Sequence, residues 1–132
     1  MVESRVGTCF TPKDAHVKAS INGFYAVYLT GTAGQGLVML IFKDRTIVGV
    51  DISGVKYDGS YEEHPNGYDV RLKISIPPNT ILIQGVRAGP EGETSELDFH
   101  LPADFLDQPF IRVNAKHGPV NAKVMRLREL DD

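Results

Sequence analysis

The chain has 132 residues, 42% of them apolar, with 14 Lys and Arg against 17 Asp and Glu for a formal charge of −3. That length suits one domain able to bury roughly two-thirds of its unfolded surface without staples, and the slight acidity is the wrong sign for a nucleic-acid footprint. A single cysteine, Cys9, excludes an internal disulfide, and no run approaches the ~20 apolar residues of a membrane-spanning helix; with no secretory signal pattern in the first twenty residues, the expected compartment is the cytoplasm.

Met1–Ser20 shows no sustained period and reads as a mobile leader or a segment packed on the outside, ahead of a domain over 21–132. Gly23–Thr30 is the first strand. Phe24, Ala26 and Tyr28 share one face and Tyr25, Val27 and Leu29 the other, so an apolar strand covered on both sides is expected. The Gly31–Gly36 stretch, GTAGQG, lacks the Lys-Ser or Lys-Thr of a phosphate-binding loop and is followed by a strand pattern, which makes it a hairpin loop. Leu37–Lys43 is the second strand, closed by a tight turn at Lys43–Thr46.

Ile47–Tyr61, IVGVDISGVKYDGSY, begins as a strand with Val48, Val50 and Ile52 on one face and Gly49, Asp51 and Ser53 on the other. The alternation slips at Gly54, and a fourth strand follows around Tyr57–Glu63. Gly49, Gly54 and Gly59 recur every five residues. That odd spacing calls for bends or bulges, as at the corners of a small barrel. Asp51 is a lone acid in an apolar strand. It is either a structural carboxylate accepting backbone N–H bonds or a polar anchor in a barrel cavity.

His64-Pro65-Asn66-Gly67 is a turn signal, with Asn-Gly suited to positive φ at the central positions. Tyr68–Ile76 alternates cleanly, with Tyr68, Val70, Leu72, Ile74 and Ile76 inward, and Pro77-Pro78 stops it. Ile81–Val86 is expected as a strand. Glu96–Leu101 points Leu97, Phe99 and Leu101 inward and His100 to solvent. Pro102–Leu106 can make one helical turn, and Phe110–Val113 is short. Pro119–Leu130 closes the chain, with a phase slip at Met125 that suggests a bulge. Lys116, Lys123, Arg126 and Arg128 suggest a solvated basic strand face. The expected fold is all-β, an antiparallel lipocalin-like barrel of about eight strands joined by short hairpin loops.

No chemistry assembles from these residues. His16, His64, His100 and His117 are not at metal-ligand spacing, so no metal or cofactor is expected. No nucleophile motif is present, and Glu62 and Glu63, as strand neighbours, point to opposite faces and cannot work as a glycosidase pair. They are either a solvated turn flank or an acidic handle for a basic partner. A non-enzymatic protein is expected.

The stretch NGFYAVYLTGTAGQGLVMLIFKDRTIVGVDISGVKYDGSY resembles the GrlR-like family, small negative regulators of type III secretion. The matching residues are Gly23, Tyr25, Gly34, Gly36, Gly49, Asp51, Gly54 and Gly59. The resemblance implies a lipocalin-like barrel that forms a homodimer and represses gene expression by binding a helix-turn-helix activator rather than DNA. It also implies an acidic contact at a strand edge. Here that edge is Tyr61-Glu62-Glu63-His64-Pro65, in which Glu62 and Glu63 keep the charge. The alternative is a barrel that carries or senses a small apolar molecule.

Overall fold

A computed structural model describes residues 20–130; expectations for the leader, Cys9 and His16 lie outside the described residues. The described chain is an antiparallel barrel of eight strands: β1 Gly23–Thr30, β2 Gln35–Lys43, β3 Thr46–Asp51, β4 Lys56–His64, β5 Gly67–Ile76, β6 Glu93–Pro102, β7 Ile111–Ala115 and β8 Gly118–Glu129. The strand order is β6-β5-β4-β3-β2-β1-β8-β7, so β6 and β7 are the two edges and face each other across the seam of a nearly closed barrel.

The period of two that runs through β5 and β6 sets which side chains fill the barrel. Tyr68, Val70, Leu72 and Ile76 are buried inside, as is Leu101, while Asp69, Arg71 and Lys73 face water. Ile81–Val86 is not a strand. Leu82 N–H donates to Val86 O at 2.7 Å and Gly85 N–H to Leu82 O at 2.9 Å, folding the segment back on itself with Gly85 at φ 91°. A short apolar run can serve a plug as well as a strand, and Gly85 decides for the turn. Pro102–Leu106 forms hydrogen-bonded turns instead of a helical element, with Phe105 N–H on Pro102 O at 3.0 Å. At the β4–β5 turn His64 pairs with Gly67, so the loop is Pro65-Asn66 rather than Asn-Gly.

One further expectation changes, and the structure settles a facing that the sequence left open. β1 is not covered on both sides by the described residues: Tyr25 and Val27 are buried, whereas Phe24 and Tyr28 are exposed. On β3 the apolar set Val48 and Val50 faces outward, and Ile47, fully buried, faces the core. β1 is apolar on two faces and β3 turns its more apolar face outward, so alternation alone could not orient them. The outer pairs Phe24–Ile41, Ala26–Met39 and Tyr28–Leu37 continue into Met39–Val50 and Ile41–Val48 on one side and Ala26–Met125 on the other. The result is one apolar outer face across β3, β2, β1 and β8. The outer face of β4, β5 and β6 is charged, with Arg71 bonded to Asp98 at 3.0 Å and His100 to Asp69 at 3.1 Å.

The glycines of β3 and β4 permit the tight coiling. A methyl group on Gly59 would run into the backbone carbonyl of Arg71, so β4 and β5 approach closely there only because the side chain is missing. Gly54 sits at φ 87° in the β3–β4 turn, a conformation that L side chains rarely adopt.

Candidate functional site

The two ends of the barrel are built differently. The end carrying the β2–β3, β4–β5 and β6–β7 connections is solid. Five aromatic rings pack there in a cycle: Tyr25–Phe42 at 5.0 Å between centroids, Phe42–Tyr61 at 5.6 Å, Tyr61–Tyr68 at 5.9 Å, Tyr68–Phe105 at 6.3 Å and Phe105–Tyr25 at 6.0 Å. Three of the five contacts are edge to face, an arrangement that adds about 0.5–1.5 kcal/mol per pair beyond simple burial.

Polar groups seal the same end. Asn22, buried, accepts from Asp44 N–H at 3.0 Å and from the Tyr61 hydroxyl at 3.2 Å, and its own amide donates to Asp44 Oδ1 at 3.3 Å. This holds the β2–β3 turn, where Asp44 and Arg45 adopt φ of 48° and 72°. Arg126 is also here, which corrects its expected place on a solvated basic face. Arg126 keeps the inward phase of Val120, Ala122 and Val124 and pairs with Tyr25; the register shift that follows, between Phe24 and Tyr25, turns Arg128 outward. Its guanidinium donates to the Tyr25 hydroxyl and to Ser20 O. That hydroxyl in turn donates to Ile21 O at 2.6 Å.

The other end is hollow. A cavity of about 210 Å³ lies between the wall residues Val27, Leu40, Leu72, Ile74 and Phe99 and a roof formed by the β5–β6 connection, residues 77–92. The roof is tied down at both sides: Ala33 N–H donates to Ile83 O at 2.8 Å and the Gln84 amide to Gly118 O at 3.4 Å. Ala88, Val55 and Ile76 pack as a small buried cluster that fixes its base.

Most of the cavity wall is apolar, but polar side chains also line it, Gln35, Thr80, Gln84 and Ser95 among them, and two on the β3–β4 wall stand out. The Tyr57 phenol is one. Among the described residues it has no hydrogen-bond partner, and burial, reinforced by the nearby Asp51 carboxylate, pushes its pKa well above the usual tyrosine range. Asp51 is the second. Its Oδ1 accepts from Ser53 N–H at 2.8 Å and Val55 N–H at 3.0 Å, which pins the turn that contains Gly54. At the mouth Glu93 accepts from His117 at 2.6 Å and pairs with Lys116 at 3.4 Å. Those contacts hold its carboxyl below the usual range, the His117 hydrogen bond contributing most. They also bridge the seam, since Glu93 opens β6 and Lys116 and His117 form the β7–β8 turn.

The residues singled out by sequence thus fall in separate places. Gly49, Asp51, Gly54 and Gly59 belong to the β3–β4 wall, with Asp51 at the hollow end. Glu62 and Glu63 are exposed near the solid end, opposite Asp69 and Tyr68. His64 and His100 stack edge to face beside them at 5.6 Å. Sequence reasoning passed over Tyr57, Asn22 and the Glu93–His117 pair. Tyr57 falls in the apolar phase that it and Val55 take up after the slip at Gly54, which marks it as inward and no more. Among the described residues no group of three or more His, Cys, Asp or Glu is placed to hold a metal ion, and no helix is long and apolar enough to cross a membrane.

Fold and site together define a nearly closed eight-stranded β-barrel that is solid at one end, hollow at the other and apolar over half of its outer wall. Compared with known proteins, the chain matches no family model, no curated protein and no solved structure.

Proposed function

We propose that this protein is a non-enzymatic regulator that works through protein–protein contact, as a homodimer joined by the outer face of β3, β2, β1 and β8. In this reading it acts as the negative regulators of type III secretion do, by holding a helix-turn-helix activator. The supporting observation is the outer face itself. Phe24, Tyr28, Leu37, Met39, Val48, Val50, Met125 and Leu127 each leave between 36% and 51% of their surface exposed. Contiguous apolar surface of this kind marks interaction sites. Four strands at about 4.8 Å spacing make it roughly 15–20 Å wide, the scale of a standard interface.

The occupant is a second copy because the rims of the face are complementary. β8 presents Lys123 and Arg128 outward, beside Tyr28 and Phe24. On the far rim β4 presents Lys56, Asp58 and Glu62. A two-fold axis running along the strands lays β8 of one copy over the β3–β4 side of the other, so cations meet a net acidic rim. Glu62 and Glu63, at the solid end, are the acidic handle for the activator.

Sedimentation of the full chain tests the dimer. The expected species has twice the 14.5 kDa mass of the chain, and Met39→Asp with Val50→Glu converts it to the monomer. A monomer from the unsubstituted chain at tens of micromolar refutes the reading. For the activator, co-purification with helix-turn-helix activators of type III secretion is the measure. Glu62→Lys with Glu63→Lys should reduce it, and Glu63→Lys alone, which spares the rim, should reduce it with the dimer intact; unchanged co-purification in both removes the acidic handle.

A further inference from the structure

The hollow end has no part in the dimer or in the acidic handle, yet it is the less economical half of the barrel. A core is normally packed to the density of an organic crystal, and voids cost stability. Here the inner wall keeps about 210 Å³ open. Filling it would take only larger side chains at Val27, Val38 or Ala122, which line it. An apolar cavity of about 150 Å³ accepts a benzene ring, so this one has room for a fused pair of rings or a chain of similar bulk.

Its polar groups limit the chemistry further. The Tyr57 hydroxyl stands in an apolar wall with no partner among the described residues. Tyr57 is half-buried and lines the cavity, so its hydroxyl is free to bond whatever enters. As a neutral phenol it is a donor seeking an acceptor. Asp51, on the same wall, offers a carboxylate whose Oδ1 is already occupied by two backbone N–H groups. A ligand carboxylate would meet that charge without compensation, because Lys116 and His117 at the mouth are both engaged by Glu93.

We infer that the hollow end of the barrel is a binding site for a small, neutral, largely apolar molecule carrying one hydroxyl or carbonyl group, which accepts a hydrogen bond from Tyr57 beneath the roof of residues 77–92. Tyr57 is the orienting residue and the aliphatic wall supplies most of the affinity. An alcohol or phenol fits best, since its oxygen accepts from Tyr57 and its proton is attracted by Asp51.

Three naphthalene probes test this on the purified full chain: 2-naphthol, naphthalene and 2-naphthoate, each followed by its fluorescence on titration. The expected order of affinity is 2-naphthol, then naphthalene, then 2-naphthoate. The hydroxyl should contribute roughly three- to tenfold over naphthalene. Tyr57→Phe keeps the ring and the fold, and should bring 2-naphthol down to the level of naphthalene. Ala122→Phe should fill the cavity and abolish uptake of both. Val50→Glu on the outer face should leave all three affinities unchanged while splitting the dimer, which separates this site from the proposed interface. No saturable uptake of any probe overturns the inference. So does a preference for 2-naphthoate, an unchanged 2-naphthol preference in Tyr57→Phe, or loss of uptake in Val50→Glu.

Discussion

Arg126 and Tyr25 are 101 residues apart in the chain, and the guanidinium Nη2 donates to the phenol oxygen at 2.9 Å. The same guanidinium lies over the Tyr25 ring, 5.5 Å from its centroid. The contact joins β8 to β1 at the solid end, where the chain's last strand closes on its first. The Arg126 side chain is 24% exposed, so screening by water is limited. Arg126→Met should cost about 1–3 kcal/mol. A urea unfolding curve with an unshifted midpoint would contradict this.

Gly59 gives a prediction of the opposite kind, in which adding an atom does the damage. A Cβ there would meet the Arg71 carbonyl, and that obstacle is backbone, which cannot swing aside. Gly59→Ala should destabilise by about 1–3 kcal/mol through overpacking. Gly89 has nothing within 4 Å of a built Cβ, so Gly89→Ala is the control and should stay within about 0.5 kcal/mol of the parent. Equal effects in the two variants would show that β4 and β5 are not pressed together.

Acid should loosen the seam. The folded-state pKa of Glu93 is lowered from 4.5, chiefly by its hydrogen bond with His117. A lowered carboxylate contributes stability above its unfolded value, and loses it as pH falls through the folded one. Unfolding midpoints should therefore fall below about pH 4.5, and Glu93→Gln should flatten that part of the curve. An identical acid limb in the variant would clear Glu93 of any role.

At the alkaline side the buried phenols dominate. Tyr25, Tyr57, Tyr61 and Tyr68 all have pKa values raised above 10.0, with burial the largest cause in each. A raised phenol stabilises fully below the unfolded value and less as pH climbs beyond it. The protein should lose stability steeply above pH 10, with the ultraviolet signal of phenolate appearing together with unfolding rather than before it. Phenolate from all of the tyrosines in a still-folded protein would refute the burial argument.

How much of this was legible in the sequence depends on the strand. Tyr68–Ile76 and Leu97–Leu101 alternate polar with apolar, and their inward sets followed directly from the period. β1 is apolar on both faces and β3 sets Val48 and Val50 against Gly49 and Asp51, so the same reasoning could not say that the valines look outward. Arg126 was misplaced because a charge was taken to mean a solvated face, although it shares the phase of Val120, Ala122 and Val124; the extra residue, Leu127, comes after it and turns only Arg128 outward. Ile81–Val86 has strand composition, yet tertiary contacts with Ala33 and Gly118 make it a roof. For the site, Asp51 stood out as an acid among apolar neighbours. Tyr57 did not, since a tyrosine on an inward phase looks like any core aromatic until the space around its hydroxyl is known.

The seam between β6 and β7 has a consequence for how copies of this chain can meet. Each edge strand carries backbone N–H and C=O groups that an extended segment of another chain could adopt, the usual first step toward fibrils. Along β6 the outward phase is Thr94, Glu96, Asp98 and His100, and β7 is only five residues long with Arg112 and Asn114 on it. Charge and brevity discourage strand addition at both borders. Open-ended ribbon growth through the seam is thereby disfavoured, which leaves the broad apolar wall as the surface the proposed dimer would use.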